Sequence, residues 1–145
     1  MKMGLLAVAA ASVIILSGCA SAAESAMPTP EATPTETTPP ADGGSYSTLK
    51  QLQQAYVAAG GDCSELVQRN SVSLAAESGD CNDQTVISTY ISTADLSELI
   101  QTNKALNEEY DLESDSVWLT GQNWIINSPD AVEMQEKLGG RLVSF

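Results

Sequence analysis

Thr85-Val86-Ile87-Ser88-Thr89-Tyr90-Ile91, followed at once by Ser92-Thr93-Ala94-Asp95, decides the fold class of this chain. β-Branched and aromatic residues fill the first part and suit a pleated, half-buried surface, so Thr85 to Ile91 reads as a strand. Thr93-Ala94-Asp95 then opens a helix that carries Leu96, Leu99, Ile100, Leu106 and Tyr110 on one stripe. The same order returns downstream. Val117 to Thr120 and Asn123 to Asn127 read as strands around Gly121-Gln122, and Ser128-Pro129-Asp130 opens a helix through Met134 and Leu138 that Gly139-Gly140 stops. In both halves a hydroxyl N-cap precedes an acid that favours the positive helix start, which makes an approximate internal repeat of strand, turn, strand and helix.

Outward from this core, Val72, Leu74 and Ala76 alternate as a half-buried strand, with Gly79-Asp80-Cys81-Asn82-Asp83 as a turn-rich link. Leu49, Leu52, Tyr56 and Ala59 recur at helical steps between a Ser47 N-cap and a Gly60-Gly61 stop. Arg141 to Phe145 forms a terminal strand or tail. The expected architecture is α+β: an antiparallel sheet of four to five strands with about three helices mainly on one face. Residues 46–145 are of ordinary size for a single globular domain.

The N-terminus has a different character. Lys2 precedes an apolar run from Leu5 to Leu16 that ends in Leu16-Ser17-Gly18-Cys19. A dozen or so residues span roughly 18–20 Å as a helix, short of a hydrocarbon core of about 30 Å, but suited to the apolar region of a signal peptide. Leu16-Ser17-Gly18-Cys19 resembles the bacterial lipobox. That resemblance implies a signal peptide over residues 1–18, a diacylglyceryl group on the Cys19 thiol, and a mature chain that begins at Cys19. Two acyl chains hold a protein to a membrane where one holds it only marginally. The expected location is therefore the extracytoplasmic face of the cell membrane, lipid-anchored, with the bilayer as the partner of Cys19.

Residues 20–45 are mostly Ala, Ser, Thr, Pro, Glu and Gly, including Met27-Pro28-Thr29-Pro30 and Thr37-Thr38-Pro39-Pro40. Such a segment buries too little apolar surface to offset its ordering entropy, so residues 19–45 read as a lipidated cysteine and a disordered, semi-rigid stalk. With Cys19 assigned to lipid, Cys63 and Cys81 remain as an even pair outside the cytosol, where a disulfide is expected. A metal pair is a poor alternative without histidine in the chain, and the spacing is not that of a redox couple. The lipobox, Leu74-Ala75-Ala76-Glu77-Ser78-Gly79 with Cys81, and Gly121-Gln122-Asn123-Trp124-Ile125-Ile126-Asn127 together resemble small, acidic actinobacterial envelope lipoproteins. The resemblance implies location and architecture, not an activity.

The absence of histidine removes Ser-His-Asp and Cys-His catalysis. Ser47-Thr48-Leu49-Lys50 matches the S-x-x-K of serine acyl-transferases but lacks their companion elements, and a helix cap is the simpler reading. Asp111-x-Glu113-x-Asp115 imitates the start of a calcium loop, yet Ser116 stands where glycine is needed and Gln122 where the bidentate glutamate is needed. No catalytic residue, cofactor or metal site is expected. Nineteen acids against 6 bases give a net charge of −13, a surface that repels nucleic acid.

One candidate binding face remains. Val86, Ser88 and Tyr90 share one side of their strand, and Trp118 and Thr120 one side of theirs. If helices cover the opposite side, Tyr90 and Trp118 are exposed together on an open sheet, a surface suited to glycan rings or a partner's apolar anchor. The alternative is that both fill core, with Trp124 more strongly a core residue. The expected function is a non-catalytic interaction or accessory module of the envelope, with an envelope protein as partner. A small-ligand or glycan-binding lipoprotein is the alternative.

Overall fold

The computed structural model describes residues 38–112 and 114–145. The expected signal peptide, Cys19, most of the expected stalk and Glu113 lie outside the described residues. In chain order the elements are α1 (Leu49–Ala58), β1 (Val67–Gln68), β2 (Glu77–Asp80), β3 (Val86–Thr89), α2 (Thr93–Glu109), β4 (Val117–Thr120), β5 (Trp124–Asn127), α3 (Ala131–Leu138) and β6 (Arg141–Ser144). The fold is α+β with a six-stranded antiparallel sheet in the order β1-β2-β3-β5-β4-β6. The sheet thus has more strands than the four to five expected, because β1 and the terminal β6 both join it.

Strand alternation sorts the sheet into two faces. On the first, Ile87, Leu119, Trp124 and Ile126 meet Leu49, Leu52 and Tyr56 of α1 and Ala131, Met134 and Leu138 of α3. On the second, Ile125, Val143 and Tyr90, just past β3, meet Leu96, Leu99 and Ile100 of α2. The repeat of strand, strand and helix is therefore one of order, since α2 and α3 leave their hairpins toward opposite faces.

The Val72–Leu74–Ala76 strand is corrected by the structure. These residues form a loop in which Leu74 is exposed at φ 64, and Val72 N–H donates to Ser78 Oγ at 3.1 Å. The strand lies just beyond it, in Glu77-Ser78-Gly79-Asp80, residues of low β propensity. Neighbours select it: β3 pairs along its whole length, and a Cβ on Gly79 would sit 2.9 Å from Leu66 Cδ1 and 3.0 Å from the Val67 carbonyl. Only glycine lets β1 approach this closely.

Helix starts are displaced from their expected caps, by one residue in α1 and α2 and by two in α3, where Asp130 rather than Ser128 stands at the cap and makes no side-chain cap bond. Thr48, not Ser47, accepts the Gln51 N–H at 3.2 Å, and Glu77 Oε2 takes the Leu49 N–H at 2.7 Å. Ser92 caps α2, accepting the Asp95 N–H at 3.1 Å and donating to the Asp95 carboxylate at 2.7 Å. Cys63, in the turn after α1, bonds Cys81 beside β2, with Cα atoms 4.5 Å apart and a sequence separation of 18.

The folded unit begins before Tyr46, which moves the expected stalk boundary. Residues 40–46 lie as a strap across the β4–β5 turn. Gln122 N–H donates to the Gly44 carbonyl at 3.0 Å and Gly140 N–H to the Ala41 carbonyl at 3.2 Å. Trp124 Nε1–H lies 3.2 Å from the carbonyls of both Gly43 and Gly44. Asn123 accepts the Tyr46 N–H at 2.9 Å and donates to its carbonyl at 2.8 Å, completing a pairing of side chain with backbone. Gln122 and the Gly44 N–H hold the exposed Asp42 carboxyl below the usual carboxylate range. Gly139, at φ 72, has no room for a Cβ: one would fall 1.9 Å from the Pro40 carbonyl oxygen.

Candidate functional site

Tyr90 and Trp118 do share a face of the sheet, but that face is not open. β3 feeds α2 back across it, and Tyr90 is only 2% exposed beneath that helix. The expected flat aromatic platform is thereby corrected. Alternation established which residues share a side, whereas the side taken by α2 depends on contacts distant in sequence. Trp118 remains half-buried, its far side against Phe145 with ring centroids 4.3 Å apart.

α2 closes the face unevenly. Its N-terminal half is pinned by Leu96, Leu99 and Ile100, while Leu106 is 43% exposed. Between the less buried half and the sheet lies a cleft of about 430 Å³, within the range of small-molecule sites. Its floor follows strand register: Val86, Asn127 and Trp118 form one row across β3, β5 and β4, and Ser88 and Ile125 lie in the next. Leu99, Thr102, Asn103 and Leu106 of α2 form one wall, and the loop Ser71–Ser73 another. The strap meets the sheet at its Gly121–Asn123 end, whereas the Val86–Asn127–Trp118 row lies toward the other end.

No charged side chain lines this cleft among the described residues, although the chain carries a net charge of −13. Polarity comes from hydroxyls and carboxamides. Ser88 Oγ and Tyr90 OH are 3.0 Å apart and share one hydrogen bond at the floor. Burial raises the Tyr90 phenol above its ordinary range, with the Ser88 bond opposing, so it stays neutral through physiological pH. Asn103 is engaged with the Leu99 carbonyl at 2.9 Å. The side chain of Asn127 has no hydrogen-bond partner among the described residues and lies half-buried in the cleft lining.

A second polar cluster was not legible in the sequence. Tyr56 OH donates to Asp130 at 2.8 Å and lies 2.9 Å from Ser128 Oγ, which is 3.0 Å from Thr85 Oγ1 and also bonds Asp130. Burial chiefly, and Asp130 with it, raises the Tyr56 phenol. Ser128 is 6% exposed and gives its own proton to Asp130, and the network ties α1 to the start of α3. Ser47 and Lys50 stand exposed at the start of α1, and Asp111 and Asp115 are exposed in the α2–β4 connection. No group of three or more metal-ligating side chains is assembled among the described residues.

No described helix is long and apolar enough to cross a membrane. Comparison by family and by fold adds nothing to this geometry: no protein-family model, curated protein or solved structure matches the chain.

Proposed function

We propose that this chain is a lipid-anchored, non-catalytic binding protein on the extracytoplasmic face of a cell membrane, and that the cleft between α2 and the sheet holds a small ligand. The single observation that carries the binding role is the concave, charge-free cleft inside a strongly acidic domain. Protein surfaces of this charge are normally dressed in carboxylates, and a concave site free of charged side chains of either sign suits an uncharged ligand. Anchoring rests on Leu16-Ser17-Gly18-Cys19, and the Cys63–Cys81 bridge supports an oxidising compartment. The buried Tyr90 ring argues against glycan stacking. The accessory-module reading, with a protein partner, is supported by exposed Tyr110 and Leu112 beyond α2, at 64% and 54% exposure.

Thr102 is exposed on the cleft wall, so Thr102→Phe fills the cleft without disturbing the core. Native mass spectrometry of protein purified from its own membranes should show a small-molecule adduct on the wild type that this variant lacks. An adduct retained by Thr102→Phe places the ligand elsewhere and removes the cleft from the proposal. For the anchor, Cys19→Ala should abolish acylation and accumulate unprocessed precursor, read as a mass shift on intact protein. Normal maturation of that variant refutes the anchor.

A further inference from the structure

The cleft's hydrogen-bond inventory narrows its ligand, and this step rests on the binding role proposed above. Ser88 and Tyr90 are 3% and 2% exposed and carry one hydroxyl proton each. Their mutual bond uses one of these protons. The other has no protein acceptor among the described residues, whichever hydroxyl is the donor. The pair lines the cleft, so this proton is available to an acceptor oxygen from outside the chain. Around it Leu99, Leu106, Trp118 and Ile125 supply apolar surface, beside neutral polar groups that include the Asn127 carboxamide.

Charge restricts the ligand further. A carboxylate or phosphate would lose its hydration in a cleft that offers no cation, inside a chain of net charge −13. A cation would be drawn toward the surface, but it would find no anion within the cleft and would pay the same desolvation. We infer that the cleft takes an uncharged amphiphilic small molecule, a ketone, ester or ether of lipid-like body, whose oxygen accepts the free proton of the Ser88–Tyr90 pair and whose apolar part lies between α2 and Trp118.

The test uses the full chain carrying Cys19→Ser, so that no acyl group of its own can fill the cleft, with 2-octanone and octanoate as matched neutral and charged probes. The chain has two tryptophans. The Trp124 indole N–H is committed to the strap carbonyls and serves as the internal reference, leaving that of Trp118 as the reporter in a ¹H–¹⁵N spectrum. The ketone should shift Trp118 and the Asn127 carboxamide, leave Trp124 in place, and bind at least tenfold more tightly than octanoate. Ser88→Ala combined with Tyr90→Phe should weaken the ketone about tenfold, with an unmoved Trp124 signal reporting an intact fold. Thr102→Phe should abolish the shift.

Equal binding of octanoate overturns the neutral class while leaving the cleft as a site. Unchanged ketone affinity in the double variant overturns the donor role of the hydroxyl pair. A Trp118 shift that survives Thr102→Phe overturns the cleft itself. If neither probe moves Trp118 up to its solubility limit, the ligand class is wrong, while an adduct lost in Thr102→Phe would still uphold the cleft.

Discussion

Trp124→Ala should destabilise the fold by about 3–5 kcal/mol, the usual cost of removing a fully buried large aromatic side chain. Trp124 is 0% exposed and is the largest fully buried side chain in the described structure. It packs between the sheet and the first helical layer, with the Tyr46 ring tilted against it at a centroid distance of 5.9 Å. Truncation also deletes the indole N–H shared by the Gly43 and Gly44 carbonyls, so the strap loses its central attachment. Against a total stability of about 5–15 kcal/mol for a typical domain, this is a large fraction. For a unit of this size it corresponds to a fall in melting temperature of roughly 12–22 °C.

Urea denaturation of the full chain, with its disulfide intact, measures the loss. Limited proteolysis between Ala41 and Ser45 should accelerate in the same variant. Trp118→Ala is the natural contrast, since that ring is half-buried beside the cleft and does not touch the strap; its cost should be clearly smaller. A Trp124→Ala loss below about 1.5 kcal/mol, or cleavage of the strap no faster than in the wild type, contradicts the role given to the indole.

Removing the Cys63–Cys81 bridge should cost about 3 kcal/mol, from the chain-entropy relation applied to a separation of 18 residues. The bridge ties the exit of α1 to the end of β2, and so holds the sheet's short outer edge against the first helix. β1 has only two residues, Val67 and Gln68, both exposed, and its ladder alone contributes little. Cys63 is 1% exposed and belongs to the same apolar layer as Trp124. The paired Cys63→Ala and Cys81→Ala variant should therefore lower the urea midpoint and raise amide exchange first in β1 and β2. Peptide mapping after alkylation without reductant checks the premise. Labelling of both thiols in the native protein would remove the bridge, and with it this stabilisation.

Much of the local structure could be read residue by residue. Leu49, Leu52 and Tyr56 lie on one stripe because helical periodicity survives any tertiary setting, and they are buried as a set. The β4–β5 hairpin around Gly121-Gln122 and the helix through Met134 and Leu138 also follow from pattern and punctuation. The failures share a cause. Leu74 alternates with its neighbours as a strand would, yet it turns into the left-handed region. Ser78 and Gly79 carry no strand signal, yet they pair between two neighbours. The strap residues Ala41–Ser45 look like more of the stalk, because their partners Gln122, Trp124 and Gly140 are distant in sequence.

The candidate site was half legible for the same reason. Alternation placed Ser88 and Tyr90 together, and the helical stripe held Leu99 and Leu106, but nothing local joined the two. By itself, the order of residues determined the α+β class, the two sides of β3, β4 and β5, the pairing of Cys63 with Cys81 and the acidic surface, because each depends on neighbours along the chain or on composition. Tertiary structure alone decided that α2 crosses the Tyr90 face, that glycine-rich segments become strand and strap, and that a charge-free cleft remains. Both sides of the sheet carry apolar side chains, Ile87 and Ile126 on one and Ile125 on the other. Which helix covers which side is therefore set by long-range packing, not by any local preference.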